Sequence, residues 1–423
     1  MENKRTEKFM SLIKSPYKTG LEFLKWLVIA SIIGGVCGVI GSVFHMAVSG
    51  ANELRGHYPW LLFLMPVAGI IIVALYRFSS MNESKGTDDI LDSVRGKKEV
   101  PLRMAPLIFI ATSLTHLTGG SAGREGAALQ LGGSIGYKIS RIFKVDEKSA
   151  SPVIMCGMSA VFSALFGTPL TASIFAMEVT AVGIMHYSAL IPCVVSSVIA
   201  YGITLLFGLK PTHYSLAVVP EFGAAALLQT AALAILCAIL SIVFCELLHK
   251  TAHTLKKTFK NENIRALVGS AVIIGLTLLL RTTDYNGAGE HVLKNAINGT
   301  ARPEAFVLKM IFTAITIGAG FKGGEIVPTF FVGATFGCLV SGIIGLDPGF
   351  GAAVGMVAMF CGMLNCPIAS IILSVEIFGS QGLLFFAIAA AISYMLSGYH
   401  GLYHSQRIVY SKTKAEYIDK NIK

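Results

Sequence analysis

The sequence predicts an all-α membrane protein, built as two repeated halves whose transmembrane helices are broken and partly re-entrant. Three observations lead there. First, 54% of the 423 residues are apolar and only 14% are charged, where a soluble protein carries about 25% charge. Mean hydropathy is +0.68. Second, the charges crowd into the first 25 residues, 82–104, 138–148, 249–265, 281–304 and the tail after Arg407, leaving apolar stretches long enough for a hydrocarbon layer about 30 Å thick. Third, the second half of the chain repeats the motifs of the first. This composition excludes a soluble enzyme, a nucleic-acid-binding domain and a disordered chain. The net charge of +10 reads as cationic loops on one membrane face, not as a nucleic-acid-binding surface.

Taken in order, apolar stretches fall near 23–50, 60–78, 105–118, 124–139, 152–180, 187–208, 222–248, 265–281, 305–320, 327–346, 350–364, 366–379 and 382–399. The first is too long and too often broken by glycine for a cleaved signal peptide, and it reads as an uncleaved span. Several others are too short or glycine-rich for straight spans. Helices that stop at membrane depth are tolerated only where protein or a watery cavity surrounds the freed backbone. The expected organisation is an N-terminal cytoplasmic segment over 1–22, a membrane domain over 23–406 with repeats at about 23–210 and 222–406, and a short tail over 407–423. Six Lys/Arg in the first 25 residues, five in 249–265 and five from Arg407 onward place all three in the cytoplasm, so both termini share that side. The eight cysteines all lie in apolar stretches without a CxxC pair. They read as small hydrophobes, and no disulfide, metal or cofactor is expected.

The repeat is explicit. Gly157-Met158-Ser159-Ala160-Val161-Phe162 is matched by Gly355-Met356-Val357-Ala358-Met359-Phe360. Pro169 and Pro367 follow at equal distance, and the lone glutamates Glu178 and Glu376 follow those, all at an offset of 198. Ahead of each copy lies a glycine-flanked acidic turn, Gly123-Arg124-Glu125-Gly126 and Gly323-Gly324-Glu325. Matched interruptions in two repeats point to a transport site between the halves.

The densest chemistry is in Thr115–Gly136, where glycines precede a resumed apolar run. Glu125 and Gly126 therefore belong at a helix N-terminus, whose free N–H groups and positive dipole end bind an anion without a fixed full charge. Ionised, Glu125 can occupy that site itself; protonated, it can leave and admit the ion. One residue would then gate the pathway and carry the proton. An Arg124–Glu125 ion pair on a packing helix is the plainer alternative. In Gly320–Pro328 the proline opens a second helix aimed at the same point. Ser84–Asp89 is a charged loop or a third re-entrant element, and Tyr403 is an interfacial tyrosine or an anion ligand. Glu178 and Glu376 suit structural roles at matched helix ends as well as a proton relay. An intramembrane enzyme would need a nucleophile–base pair, for which His116 beside Glu125 is the sole candidate, and His116 reads better as a capping or packing residue.

Gly123-Arg124-Glu125-Gly126, Gly324–Pro328 and Tyr403, in this order across nearly the whole chain, resemble the CLC family of chloride channels and anion/proton exchangers. The resemblance implies an inverted repeat, a homodimer with one pathway per subunit, and Glu125 as the gating and proton-transfer residue. It implies an anion site at Gly123, Arg124, Gly126, Glu325, Ile326, Val327 and Tyr403. The family's Gly-Ser-Gly-Ile-Pro motif is absent, and Gly86-Thr87-Asp88 stands roughly in its place, which makes Thr87 the candidate hydroxyl ligand. Val179 replaces the second proton glutamate of chloride exchangers, as in the family's channels and its bacterial fluoride/proton exchangers. Thr115–Gly126, Glu325 and the Ser397-Gly398…Gln406-Arg407-Ile408 ending resemble the fluoride branch, although the Asn or Met usual in its first motif is not evident. The expectation is a fluoride- or chloride-moving antiporter of the bacterial inner membrane, with fluoride slightly favoured. The alternative is a passive voltage-gated-type chloride channel.

Overall fold

A computed structural model describes the backbone of residues 2–422 and the side chains of 19–146 and 149–422. The cationic side chains read from Lys4 to Lys18 lie outside the described ones. The first repeat holds α1 (Glu2–His57), α2 (Met65–Phe78), α3 (Thr87–Val94), α4 (Met104–Leu117), α5 (Glu125–Ile142), α6 (Glu147–Phe166), α7 (Pro169–Glu178) and α8 (Leu190–Leu206). The second answers with α9 (Ala224–Thr258), α10 (Glu262–Leu280), α11 (Glu290–Ile297), α12 (Ala305–Gly318), α13 (Ile326–Ile344), α14 (Pro348–Leu364), α15 (Pro367–Phe378) and α16 (Leu383–Leu396). Among the described residues seven helical stretches are long and apolar enough to cross a membrane, and five apolar helices of 10–17 residues are too short to span unaided. The protein is a multi-pass membrane protein with broken helices.

Position by position the two repeats use the same devices. Pro169 and Pro367 open α7 and α15 at the first turn, where a missing N–H costs nothing. In each repeat the helix after the acidic turn packs on its successor through glycine. A Cβ on Gly136 of α5 would lie 2.6 Å from the Val153 carbonyl oxygen of α6, and one on Gly333 of α13 would lie 2.5 Å from that of Gly355 in α14. Close backbone approach through small residues is how helices gain packing energy in lipid, where burying apolar surface gains little.

Two expectations change. The cationic stretch 249–265 is mostly helix, because α9 runs on to Thr258 before α10 begins at Glu262. Its leucines and lysines are good helix formers and no glycine or proline interrupts them up to there. The segment read as a short tail is folded. Strands β1 (Ala181–Val182), β2 (Arg407–Tyr410) and β3 (Tyr417–Asn421) form one sheet in that order, with β1 parallel to β2 and β2 antiparallel to β3. Next to it, Gln406 Nε2 donates to the carbonyls of Val179 and Leu364 at 3.0 and 2.7 Å, one in each repeat. Lys412 donates to Asn365 Oδ1, to the Tyr394 carbonyl at 2.9 Å and to Ser397 Oγ at 3.0 Å, above the Tyr394 ring. Burial holds this amine down at about 8, so it remains largely protonated at pH 7. The hairpin clips the repeats together.

Candidate functional site

The two acidic turns meet in the middle of the fold. Gly123 N–H donates to the Gly324 carbonyl at 2.6 Å, and Gly324 N–H donates back to Gly123 at 2.7 Å, as a two-bond antiparallel bridge. Only glycine permits this approach: a Cβ on Gly126 would stand 3.0 Å from Gly324 Cα, and one on Gly324 would strike the Gly126 nitrogen. The N-termini of α5 and α13 are thereby set side by side, both aimed at one point. The bridge also corrects one expectation. The Gly123 N–H is already spent, so Gly123 joins the turns and does not offer its amide to an anion.

Glu125 begins α5 and is fully buried. Its Oε2 accepts from Val327 N–H in the first turn of α13 at 3.3 Å, while Oε1 has no partner. A carboxylate in so dry a position is costly unless it is paired, bonded or protonated. Here it has one long hydrogen bond and the N-termini of two helices beside it.

Two cavities approach it from opposite sides. One of about 530 Å³ is lined by Thr87, Gln130, Glu325 and Tyr403, with Lys85 and Lys322 farther along its wall. The other, about 270 Å³, is lined by Arg124, Val327 and Tyr214. Glu125 lies between them, since its chain neighbour Arg124 and its bonding partner Val327 face one cavity while Glu325 and Thr87 face the other. Arg124 and Val327 therefore face a different cavity from Thr87, Glu325 and Tyr403. The Arg124 guanidinium reaches Ser49 Oγ at 3.4 Å and Glu290 Oε1 at 3.7 Å.

On the larger cavity, Gly86 takes a positive φ of 68° and turns the chain into α3. The Thr87 hydroxyl donates to the Gly126 carbonyl at 3.3 Å and accepts from Gln130 Nε2 at 3.3 Å. With its proton so directed, Thr87 buttresses the gate helix and presents little to an anion. The Gln130 amide, one turn into α5 and facing the cavity, is the donor that sequence reasoning missed. Its position at i+5 from Glu125 on a buried helix was the available signal. Tyr403 is buried, and its hydroxyl has no partner, which leaves it free to donate to a ligand. Asp88 accepts from Ser405 N–H at 2.7 Å and ties α3 to the Tyr403 loop. The helix expected to open at Pro328 begins two residues earlier, with Ile326 and Val327 in the first turn of α13. His116 faces Asn52, with Nδ1 3.4 Å from Asn52 Oδ1, as a packing residue would.

A buried lysine steadies the first turn from behind. Lys309 Nζ donates to the carbonyls of Tyr285 and Gly287 at 3.2 and 2.6 Å. The loop so held reaches forward, with Asn286 Nδ2 donating to Gly119 at 2.9 Å and Gly287 N–H to Gly120 at 3.1 Å.

The sequence pattern of the family described as voltage gated chloride channel matches residues 67–398. The chain belongs to this family, the CLC proteins. It is 33% identical over 395 residues to the chloride/fluoride channel protein of Pseudomonas syringae pv. tomato, covering 92% of this chain and 87% of that one. It is 25% identical over 386 residues to the H(+)/Cl(-) exchange transporter ClcA of Vibrio parahaemolyticus, covering 83% and 81%. Its fold matches the crystal structure of a CLC-type fluoride/proton antiporter with a TM-score of 0.88 at 28% identity, over 91% of this chain and 98% of that one. A slow cyanobacterial Cl-/H+ antiporter shares the fold with a TM-score of 0.73 at 20% identity, over 88% and 94%. The resemblance is to the fluoride branch of the CLC family in both sequence and fold.

Within this CLC fold the repeat-related glutamates have reciprocal structural partners. Glu178, ending α7, accepts from Ile368 and Ala369 N–H of α15 at 3.1 and 2.8 Å. Glu376, in α15, accepts from Leu170 and Thr171 N–H of α7 at 2.9 and 2.8 Å. Each repeat caps the proline-headed helix of the other, satisfying N–H groups that have no intrahelical partner.

Proposed function

We propose that this protein is a CLC-type halide transporter that exchanges fluoride or chloride for protons, with Glu125 as both gate and proton carrier. The observation that carries the reading is the Glu125 carboxylate, buried between two cavities with one N–H bond at 3.3 Å and one bare oxygen. An ionised Glu125 competes with the anion for the N-termini of α5 and α13. Protonation cancels its attraction to those dipoles, so the side chain withdraws and an anion takes its place. Ile326 and Val327 would supply N–H groups, Tyr403 its hydroxyl and Gln130 its amide from the larger cavity. Glu325, lining that cavity, would pass protons toward the inner face. Gly126 and Gly123 hold the two helix ends together, and Arg124 and Thr87 position the gate from either side. Neither a metal nor an organic cofactor enters this scheme, and the protein acts as a transporter, without catalysing a covalent reaction.

The distribution of Lys and Arg supports a plasma (inner) membrane location with both termini in the cytoplasm, which makes the larger cavity the inner one and the Arg124 cavity the outer one. A homodimer with one pathway per subunit follows from the family resemblance. The test is efflux of fluoride and of chloride from proteoliposomes with pH recorded in the same experiment. Uphill proton movement driven by a halide gradient is expected for the native chain and should vanish in Glu125→Gln. A Glu125→Gln protein that still pumps protons uphill would overturn the mechanism. Native protein that carries anions with no proton flux would establish the passive chloride channel instead.

A further inference from the structure

The outer cavity is roofed by the connector between the repeats. Residues 207–223 cross the ends of both halves: Thr212 N–H donates to the Phe166 carbonyl at the end of α6, and Tyr214 N–H to the Ile377 carbonyl of α15, both at 2.9 Å. The connector is seated closely, since a Cβ on Gly167 would fall 2.5 Å from Pro211. Two backbone bonds and this contact carry Lys210 and His213 to the cavity lining. Deeper in the wall is Arg124, beside the gate. The Arg124 contacts to Ser49 and Glu290 are long, 3.4 and 3.7 Å, so most of its five donors remain open to a ligand.

We propose that this cavity is an anion-capture site, in which a partly hydrated monovalent anion is held by Arg124, Lys210 and His213 before Glu125 admits it. The proposal rests on the transport reading above and adds to it a second binding position. Charge and size both fit. Arg124 and Lys210 face one carboxylate, Glu290, which leaves one net positive charge with His213 neutral. A single excess charge attracts a monovalent anion yet lets it go. A volume of about 270 Å³ holds an ion together with several waters, at roughly 30 Å³ each. The cavity therefore concentrates anions without stripping them, and discrimination is left to the dry position below. Cationic walls around a narrow, low-dielectric mouth raise local counter-ion concentration and on-rate, and salt screens the effect.

The experiment is initial anion uptake by proteoliposomes against external anion concentration, at low and at high ionic strength, for the native chain, Lys210→Ala/His213→Ala and Glu290→Gln. The double variant should raise the half-saturating external concentration roughly three- to ten-fold at low ionic strength, with maximal rate and proton-to-anion ratio unchanged. Glu290→Gln should shift it the other way, and both shifts should shrink at high salt. Lys210→Cys should lose affinity as Lys210→Ala does and regain it when a membrane-impermeant cationic thiol reagent is added outside, while an anionic reagent should worsen it. The eight native cysteines are buried and do not compete. Unchanged half-saturation in the double variant, or equal change from both membrane faces, would overturn the capture site. Loss of proton coupling in the native chain would instead strike the antiport reading, and the two failures are read on separate axes of one experiment.

Discussion

Glu125 and Glu178 are both buried carboxylates directed at the N-terminus of a helix from the other repeat, and they are held quite differently. Glu178 spends one oxygen on each of two N–H groups, at 3.1 and 2.8 Å. Glu125 has one bond at 3.3 Å and an oxygen with nothing to bond. The first is a staple whose removal orphans two donors. The second keeps one oxygen without a partner. Completeness of bonding, and not the residue type or its burial, separates the two carboxylates.

That contrast can be broken most decisively at Glu178. Glu178→Ala leaves the Ile368 and Ala369 N–H groups bare at membrane depth, at a cost of about 2–4 kcal/mol. A clear fall in unfolding temperature in detergent is expected. A Glu178→Ala protein as stable as the native chain, but without proton coupling, would turn the staple into a proton relay. Glu376→Ala should cost less, about 1–2 kcal/mol, because the Leu170 N–H it covers is the more exposed of its two partners. Glu125→Gln should leave the unfolding temperature near native, since it removes one long bond and a buried charge while abolishing proton transport. The smallest effect should come at the periphery. Lys412→Met keeps the aliphatic stem over Tyr394 but removes three donor contacts. About 1 kcal/mol is expected, visible as earlier proteolysis of the C-terminal hairpin with transport retained.

The repeats also differ where they flank the pathway. The first contributes Glu125 itself, and the second contributes Val327 to bond it and Glu325 to face the larger cavity. The matching of Gly123 with Gly324 makes these unequal partners meet. Lys309 and the loop it anchors extend that support behind the first turn, the one that bears Glu125.

Much of this was legible in the chain. Membrane class, two repeats, the helix start at Glu125, the repeated Pro169 and Pro367 and the four repeat-related acidic positions are all local patterns, set by composition, spacing and the geometry of helix ends. Even the structural role of Glu178 and Glu376 was open to view as a symmetry, although their partners were not. Those partners stand 190 to 206 residues away, and no local period encodes them. The same holds for Arg124, which adjoins Glu125 in the chain but lines the smaller cavity. It holds for Thr87, whose hydroxyl is turned to the Gly126 carbonyl by Gln130, and for Gly123, whose amide is consumed by Gly324. The tail became a hairpin because Val179, Leu364 and Asn365 offer it unsatisfied groups that only the folded repeats bring together. Sequence alone determined the membrane class, the repeat and the helix start at Glu125. Tertiary structure decided which buried groups find a partner and which, like Glu125 Oε1, are left without one, because those partners come from distant parts of the chain.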